Sequence, residues 1–226
     1  WFALVAFVSL FFADIFLYQP DPWEEFGRIG WGMITPFWPD ADELLMSALH
    51  TVSFALLGVA VSAALGVLLA IWFHWRIVRV FSAVIRSVHE IFWGLLFMQV
   101  FGLSALTGLL AITIPFAGIF AKVFSDIFHQ QSSATVDTLS GSSRLSRFFY
   151  AWIPQAWPAM RSYIRYRFEC ALRSSAILGF IGLPTLGFHL ETAFRQGDYS
   201  EAAAVFWVFL ILIGTVRFWF YKKLLL

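Results

Sequence analysis

The sequence predicts an all-α, polytopic membrane protein of about six transmembrane helices. Three observations predict it. Hydrophobic residues make up 60% of the 226 residues and charged residues only 13%, where a soluble domain is nearer half apolar and a quarter charged. Apolar stretches run from one end of the chain to the other, so a single span cannot account for the excess. Lysine and arginine gather in segments that six spans would place on one membrane face.

A bilayer core takes about 20 mostly apolar residues per helix. By that length the expected spans are residues 1–18, 44–73, 80–101, 103–124, 157–190 and 202–221. Residues 1–18 read as a span, not a secretory leader, because Trp1-Phe2-Ala3 has no basic n-region. The start at Trp1 suggests that the chain lacks its true N-terminus. The fifth span differs from the others. Arg161, Arg165, Arg167, Glu169 and Arg173 crowd its first half, and Gly179, Gly182, Pro184 and Gly187 interrupt its second. Residues 1–43 thus form a first helix with an external loop, and residues 44–226 a transmembrane core with a polar cytoplasmic segment at 132–150.

Basic residues are retained on the cytoplasmic side of short loops. Arg76, Arg79 and Arg86 follow the second span, Lys122, Arg144, Arg147, Arg161, Arg165 and Arg167 surround the polar segment, and Lys222 and Lys223 lie near the chain end. The opposite face keeps Arg28 and Arg195, together with Asp21, Glu24, Glu25, Asp40, Asp42 and Glu43. Both termini and the polar segment are therefore expected in the cytoplasm. The loop at 19–43 is expected outside, with Trp23, Trp31 and Trp38 at headgroup level or, alternatively, docking a ligand.

In the second span, Gly58, Ser62, Gly66 and Ala70 recur every four residues. Such a small-residue stripe lets backbones approach closely, either inside one chain or between subunits. Arg86 and Glu90 are four apart, and Arg165, Glu169 and Arg173 repeat that spacing. A lone charge at the bilayer centre is costly, so these groups are expected to pair. Two roles are open for them: locking the cytoplasmic helix ends, or lining and gating the path of an anionic solute.

No catalytic constellation is present. His50, His74, His89, His129 and His189 are scattered, with no HExxH and no GxxxxGK[ST]. The chain is therefore expected to be no enzyme and to bind no cofactor or nucleotide itself. Cys170 stands alone, which excludes an intrachain disulfide and a paired-cysteine metal site. The net charge of +1 gives no general attraction to nucleic acid.

The polar island from Ala134 to Pro158, about two dozen residues, is far longer than a membrane hairpin needs. It reads as a cytosolic face that another protein recognises. Ser132 and Ser133 are N-cap candidates, Val136 and Leu139 give an apolar pair at spacing three, and Phe148 and Phe149 are placed to anchor the segment to the membrane face.

Residues 135–154 resemble the EAA motif of binding-protein-dependent ABC importer permeases. Thr135-Val136-Asp137 occupies the E-A-A positions, Gly141 the glycine, and Ala151-Trp152-Ile153-Pro154 the terminal proline pattern. The family's glutamate is Thr135 here, with Asp137 nearby. The stretches beginning at Arg86-Ser-Val-His-Glu90, Ile153-Pro-Gln-Ala-Trp-Pro158, Tyr163-Ile-Arg-Tyr-Arg-Phe-Glu169 and Arg173-Ser-Ser-Ala-Ile-Leu-Gly-Phe-Ile-Gly182 are similar to the phosphonate-type branch with its phosphite and hypophosphite relatives. Methionine-type permeases share much of the pattern.

The resemblance implies a type I ABC importer permease fold in a bacterial inner membrane, moving a small oxyanion. It implies separate ATPase subunits that hold ATP and Mg, a second permease copy or paralogue, and an external solute-binding protein. It implies coupling to the ATPase through Thr135, Val136, Asp137, Leu139, Gly141, Ser142 and Arg144. On this reading Arg86, Glu90, Glu169, Arg173, Gly182 and Gly187 line or gate the path. From the broken span itself, two roles are open for Gly179 to Gly187: exposed backbone N–H groups that receive the anion, or close packing against the small-residue stripe of the second span. Pro184, where the family is glycine-rich, fixes its own φ.

Overall fold

The computed structural model describes residues 1–12, 21–130, 146 and 148–222. Among these, every regular element is helical. In chain order they are α1 (Phe2–Phe12), α2 (Pro22–Ile34), α3 (Ala41–Ile71), α4 (Arg76–Ser87), α5 (Glu90–Phe101) and α6 (Ala105–His129). A π-helical turn, Phe148–Trp152, then leads into α7 (Ile153–Phe180), α8 (Leu186–Gln196) and α9 (Tyr199–Lys222).

The centre of the fold is the packing of α3 on α6. The α3 stripe Gly58, Ser62, Gly66 and Ala70 is buried against α6 within this one chain. A Cβ added at Gly58 would lie 2.8 Å from Cγ2 of Ile112, and one at Gly66 2.3 Å from Cβ of Phe120. The missing side chains are therefore what let the two helices touch. Of the two roles open for the stripe, the intramolecular one is observed. The facing side of α6 presents Phe116, Phe120, Phe124 and Phe128 at spacing four, all buried. Ser62 Oγ donates to the carbonyl of Thr113 across the interface at 3.1 Å.

Ser104 caps α6, its Oγ accepting from Thr107 N–H at 3.3 Å. In α2, Pro22 opens the helix and Glu24 and Glu25 occupy the first turn, where the helix dipole favours acidic groups. Asp42 and Glu43 do the same for α3. At the end of α8, Gly197 takes the left-handed conformation at φ 74°, and Asp198 N–H returns to the carbonyl of Ala193 at 3.0 Å.

Three helices are long and apolar enough to cross a membrane: Ala41–Ile71, Ala105–His129 and Tyr199–Phe218. A fourth arises if α4 and α5 form one broken span. The count among described residues is thus three or four, against about six expected. The expected first span is described only as far as Phe12. The expected third span, 80–101, is not one helix: α4 and α5 meet at 92°. Val88 and His89 are extended, and His89 caps the second helix, its Nδ1 accepting from Ile91 N–H at 3.4 Å. The expected fifth span divides at residues 181–185, where the glycines and Pro184 lie, into α7 and α8. With its five charged residues, α7 falls outside the set apolar enough to span by composition.

Candidate translocation path

The expected coupling residues Thr135, Val136, Asp137, Leu139, Gly141, Ser142 and Arg144 lie outside the described residues. The segment's exit is described. Phe148 is buried, with its ring 5.0 Å from that of Phe128 and 6.1 Å from that of Trp152. Apolar burial of this ring against the end of α6 ties the segment's exit to the helix bundle.

Neither expected charge ladder forms ion pairs. Arg86 ends α4 and is exposed, whereas Glu90 begins α5 and is half-buried. The extended pair Val88-His89 separates them, so the spacing of four no longer places both on one helical face. On α7, Glu169 is half-buried and Arg173 exposed. Arg173 Nη2 donates to Cys170 Sγ at 3.6 Å. Arg165 lies over the Phe220 ring at 5.7 Å. Arg167 lies over Phe116 at 5.0 Å and donates through Nε to the Tyr163 hydroxyl at 3.0 Å. Aromatic faces, not carboxylates, hold these two guanidinium groups. The ion pairs that do form among the described residues include Glu25–Arg28, Lys122–Asp126 and Glu191–Arg195.

The break between α7 and α8 is built from polar groups that the sequence did not single out. Thr51, Ser175 and Thr185 are fully buried, and Ser47 nearly so. Thr51 Oγ1 accepts from the backbone N–H of Leu186 at 3.0 Å and donates to the carbonyl of Ser47 at 2.7 Å. Thr185 Oγ1 donates to the carbonyl of Ser175 at 3.3 Å. His189 Nε2 and Ser47 Oγ are 2.7 Å apart, and His50 Nδ1 lies 3.1 Å from the carbonyl oxygen of Pro184. Irregular backbone at membrane depth persists only where protein or water satisfies it, and here α3 supplies the partners.

Most of the amides expected to await an anion are already occupied. The N–H groups of Ile181, Gly182, Leu183, Thr185, Leu186 and Phe188 all have acceptors within the chain. Gly182 sits at φ +88°, a conformation that favours glycine. Gly187 is buried, and a Cβ there would fall 1.9 Å from the carbonyl oxygen of Ala176.

A second feature went unread in the sequence. The loop at 19–43 contains α2, which is fastened to the start of α9. Tyr199 Oη donates to Glu25 Oε1 at 2.5 Å, Arg28 Nη1 lies 2.8 Å from Glu25 Oε2, and the Arg28 guanidinium is 5.6 Å from the Tyr199 ring centre. The donated Tyr199 hydroxyl bond, and after it the Arg28 charge, hold the Glu25 carboxyl below its ordinary value. A cleft of about 710 Å³ opens beside the clamp, lined by Glu24, Arg28, Trp31, Asp198 and Tyr199 among others. The helical spacing of Glu25 and Arg28 was legible, but the partner 174 residues away was not.

No protein-family model matches the chain. Among curated proteins it is similar to the phosphate-import permease protein PhnE of Mycolicibacterium smegmatis, at 30% identity over 80% of this chain and 36% of that one. It is also similar to the phosphite transport system permease protein PtxC of Stutzerimonas stutzeri, at 30% identity over 62% of this chain and 52% of that one. A third relative, the putative phosphite transport system permease protein HtxC of the same organism, is 23% identical over 86% of this chain and 76% of that one. The chain thus spans between about a third and a half of the first two relatives. Among solved structures, it superposes on a chain of an amino acid ABC transporter with a TM-score of 0.63 at 18% identity, over 80% of this chain and 94% of that one. It superposes on a chain of the MetNI methionine ABC transporter, in an inward-facing conformation, with a TM-score of 0.64 at 16% identity, over 77% and 91%. The fold is that of ABC transporter chains.

Proposed function

We propose that this chain is the permease subunit of an ATP-driven importer that carries a small oxyanion, a phosphonate, phosphite or hypophosphite, across a bacterial inner membrane. The observation that carries this reading is the similarity, over 80% and 62% of the chain, to permeases whose names specify phosphate import and phosphite transport. The shared ABC transporter fold supports it.

In this reading two copies of the permease, or this chain and a paralogue, enclose a path between them. The open side of α7, with Glu169 and Arg173, and the α4–α5 break, with Arg86 and Glu90, face that path. Those charges are half-buried or exposed in the single chain, as groups facing a water-filled conduit should be. A path without a tight site lets the anion leave as readily as it enters. Gly182 and Gly187 act by shaping the α7–α8 break, Gly182 through its positive φ and Gly187 through its close approach to the Ala176 backbone.

The polar segment, through Thr135, Val136, Asp137, Leu139, Gly141, Ser142 and Arg144, docks on separate ATPase subunits in the cytoplasm. Those subunits hold ATP and Mg, and an external binding protein delivers the solute. The test is uptake by proteoliposomes containing the full complex, comparing phosphonate, phosphite, hypophosphite and methionine. Oxyanion uptake without methionine uptake supports the proposal, and the reverse preference refutes it.

A further inference from the structure

We propose that α4 is an interfacial helix whose Arg76 and Arg79 bind the phosphate groups of anionic phospholipids. The inference rests on the membrane reading but not on the solute, the ATPase or the direction of transport.

The helix is sharply two-sided. Ile77, Val80, Phe81 and Val84 share one side and are exposed, at 80%, 59%, 56% and 57%. Arg76, Arg79 and Arg86 share another and are also exposed. Only Ser82 and Ile85 are buried, against α6. An apolar face and a basic face, both without protein cover in the chain, is the pattern of a helix lying in the headgroup boundary.

Three independent features set its depth and direction. It follows α3, an expected membrane crossing, and the corner between them carries Trp72 and Trp75, both exposed, as interfacial tryptophans are. Ser82 and Ile85 pack on Gly118, one turn from the charged pair Lys122–Asp126 that marks the polar end of α6. The 92° turn into α5 directs α4 away from the crossing direction.

The charge pattern names the occupant. Among the described residues no carboxylate pairs with Arg76, Arg79 or Arg86. Each arginine near an anionic leaflet strengthens binding by about fivefold. An acyl chain along Val80 and Phe81 with its phosphate at Arg76 and Arg79 satisfies both faces at once. A free phosphate ion would leave the apolar face uncovered.

Two measurements test the proposal on the full chain. In the first, protein equilibrated with mixed phosphatidylglycerol and phosphatidylcholine vesicles is released into native mass spectrometry. The wild type should retain phosphatidylglycerol preferentially, and Arg76→Gln with Arg79→Gln should reduce that preference by about fivefold per arginine. An unchanged preference overturns the proposal, as does displacement of the bound lipid by inorganic phosphate. In the second, spin labels are placed singly at positions 79, 80 and 81 in a Cys170→Ser background in the same vesicles. Positions 80 and 81 should be open to oxygen and position 79 to a nickel chelate. Positions 80 and 81 closed to both reagents would show that a second copy or another protein covers this face, and would overturn it even if the double variant does not fold.

Discussion

Gly179 and Gly187 lie back to back where α7 meets α8: a Cβ on Gly179 would be 2.1 Å from the carbonyl carbon of Gly187. The approach is between backbones, so nothing flexible can give way. Gly187→Ala should destabilise the fold by about 3 kcal/mol, at the upper end of the overpacking range. Thermal unfolding of the detergent-purified chain checks this. An unchanged midpoint would mean that the two helices are not in this contact. The same variant separates packing from conduction, since a lower midpoint with retained uptake assigns Gly187 a packing role alone.

Thr51 supplies the acceptor for the first free amide of α8, that of Leu186. Thr51→Val keeps the shape and removes the oxygen. Leaving a buried N–H unpartnered costs about 1–3 kcal/mol, so the variant should unfold earlier and Thr51→Ser should restore most of the loss. Equal stability of the Val and Ser variants would contradict the role.

The Glu25–Tyr199 clamp gives a pH dependence. Its folded carboxyl titrates below the ordinary value of 4.5, chiefly because Tyr199 donates to it. A depressed folded value means the clamp's contribution is present above pH 4.5 and is lost as pH falls through the lowered value. Amide exchange in α2 should therefore be slower at pH 7 than at pH 3 once intrinsic rates are corrected, and Tyr199→Phe should shrink the difference. Equal protection in wild type and Tyr199→Phe would contradict the clamp.

Topology is tested by labelling single cysteines at positions 21 and 142 in a Cys170→Ser background. The Lys/Arg distribution predicts that they lie on opposite faces. Labelling of both by an impermeant reagent from one side would overturn the orientation.

Much of this was legible because it is local. The stripe Gly58, Ser62, Gly66 and Ala70 announced a close helix contact, and Gly182 and Pro184 announced the break after α7. The break at Val88-His89 was not legible, because neither residue is a glycine or proline and the apolar run continues through it. The charge ladders were misread for a related reason. For Arg86 and Glu90, spacing of four implies a pair only on an unbroken helix; for Arg165 on the unbroken α7, it says nothing of a ring such as Phe220 that arrives from elsewhere in the chain. The buried group of Thr51, Ser175 and Thr185 and the Glu25–Tyr199 bond join distant segments, which a single sequence does not reveal.

The most direct test of the central claim is uptake of radiolabelled phosphite by proteoliposomes that contain this chain, its ATPase subunits and its binding protein, with ATP inside or outside. The account predicts uptake that needs ATP on the ATPase side and that Gly141→Val abolishes while the complex remains assembled, since the proposed coupling contact relies on glycine's missing Cβ. Uptake by the chain alone under an ion gradient, or full uptake by Gly141→Val, would contradict it.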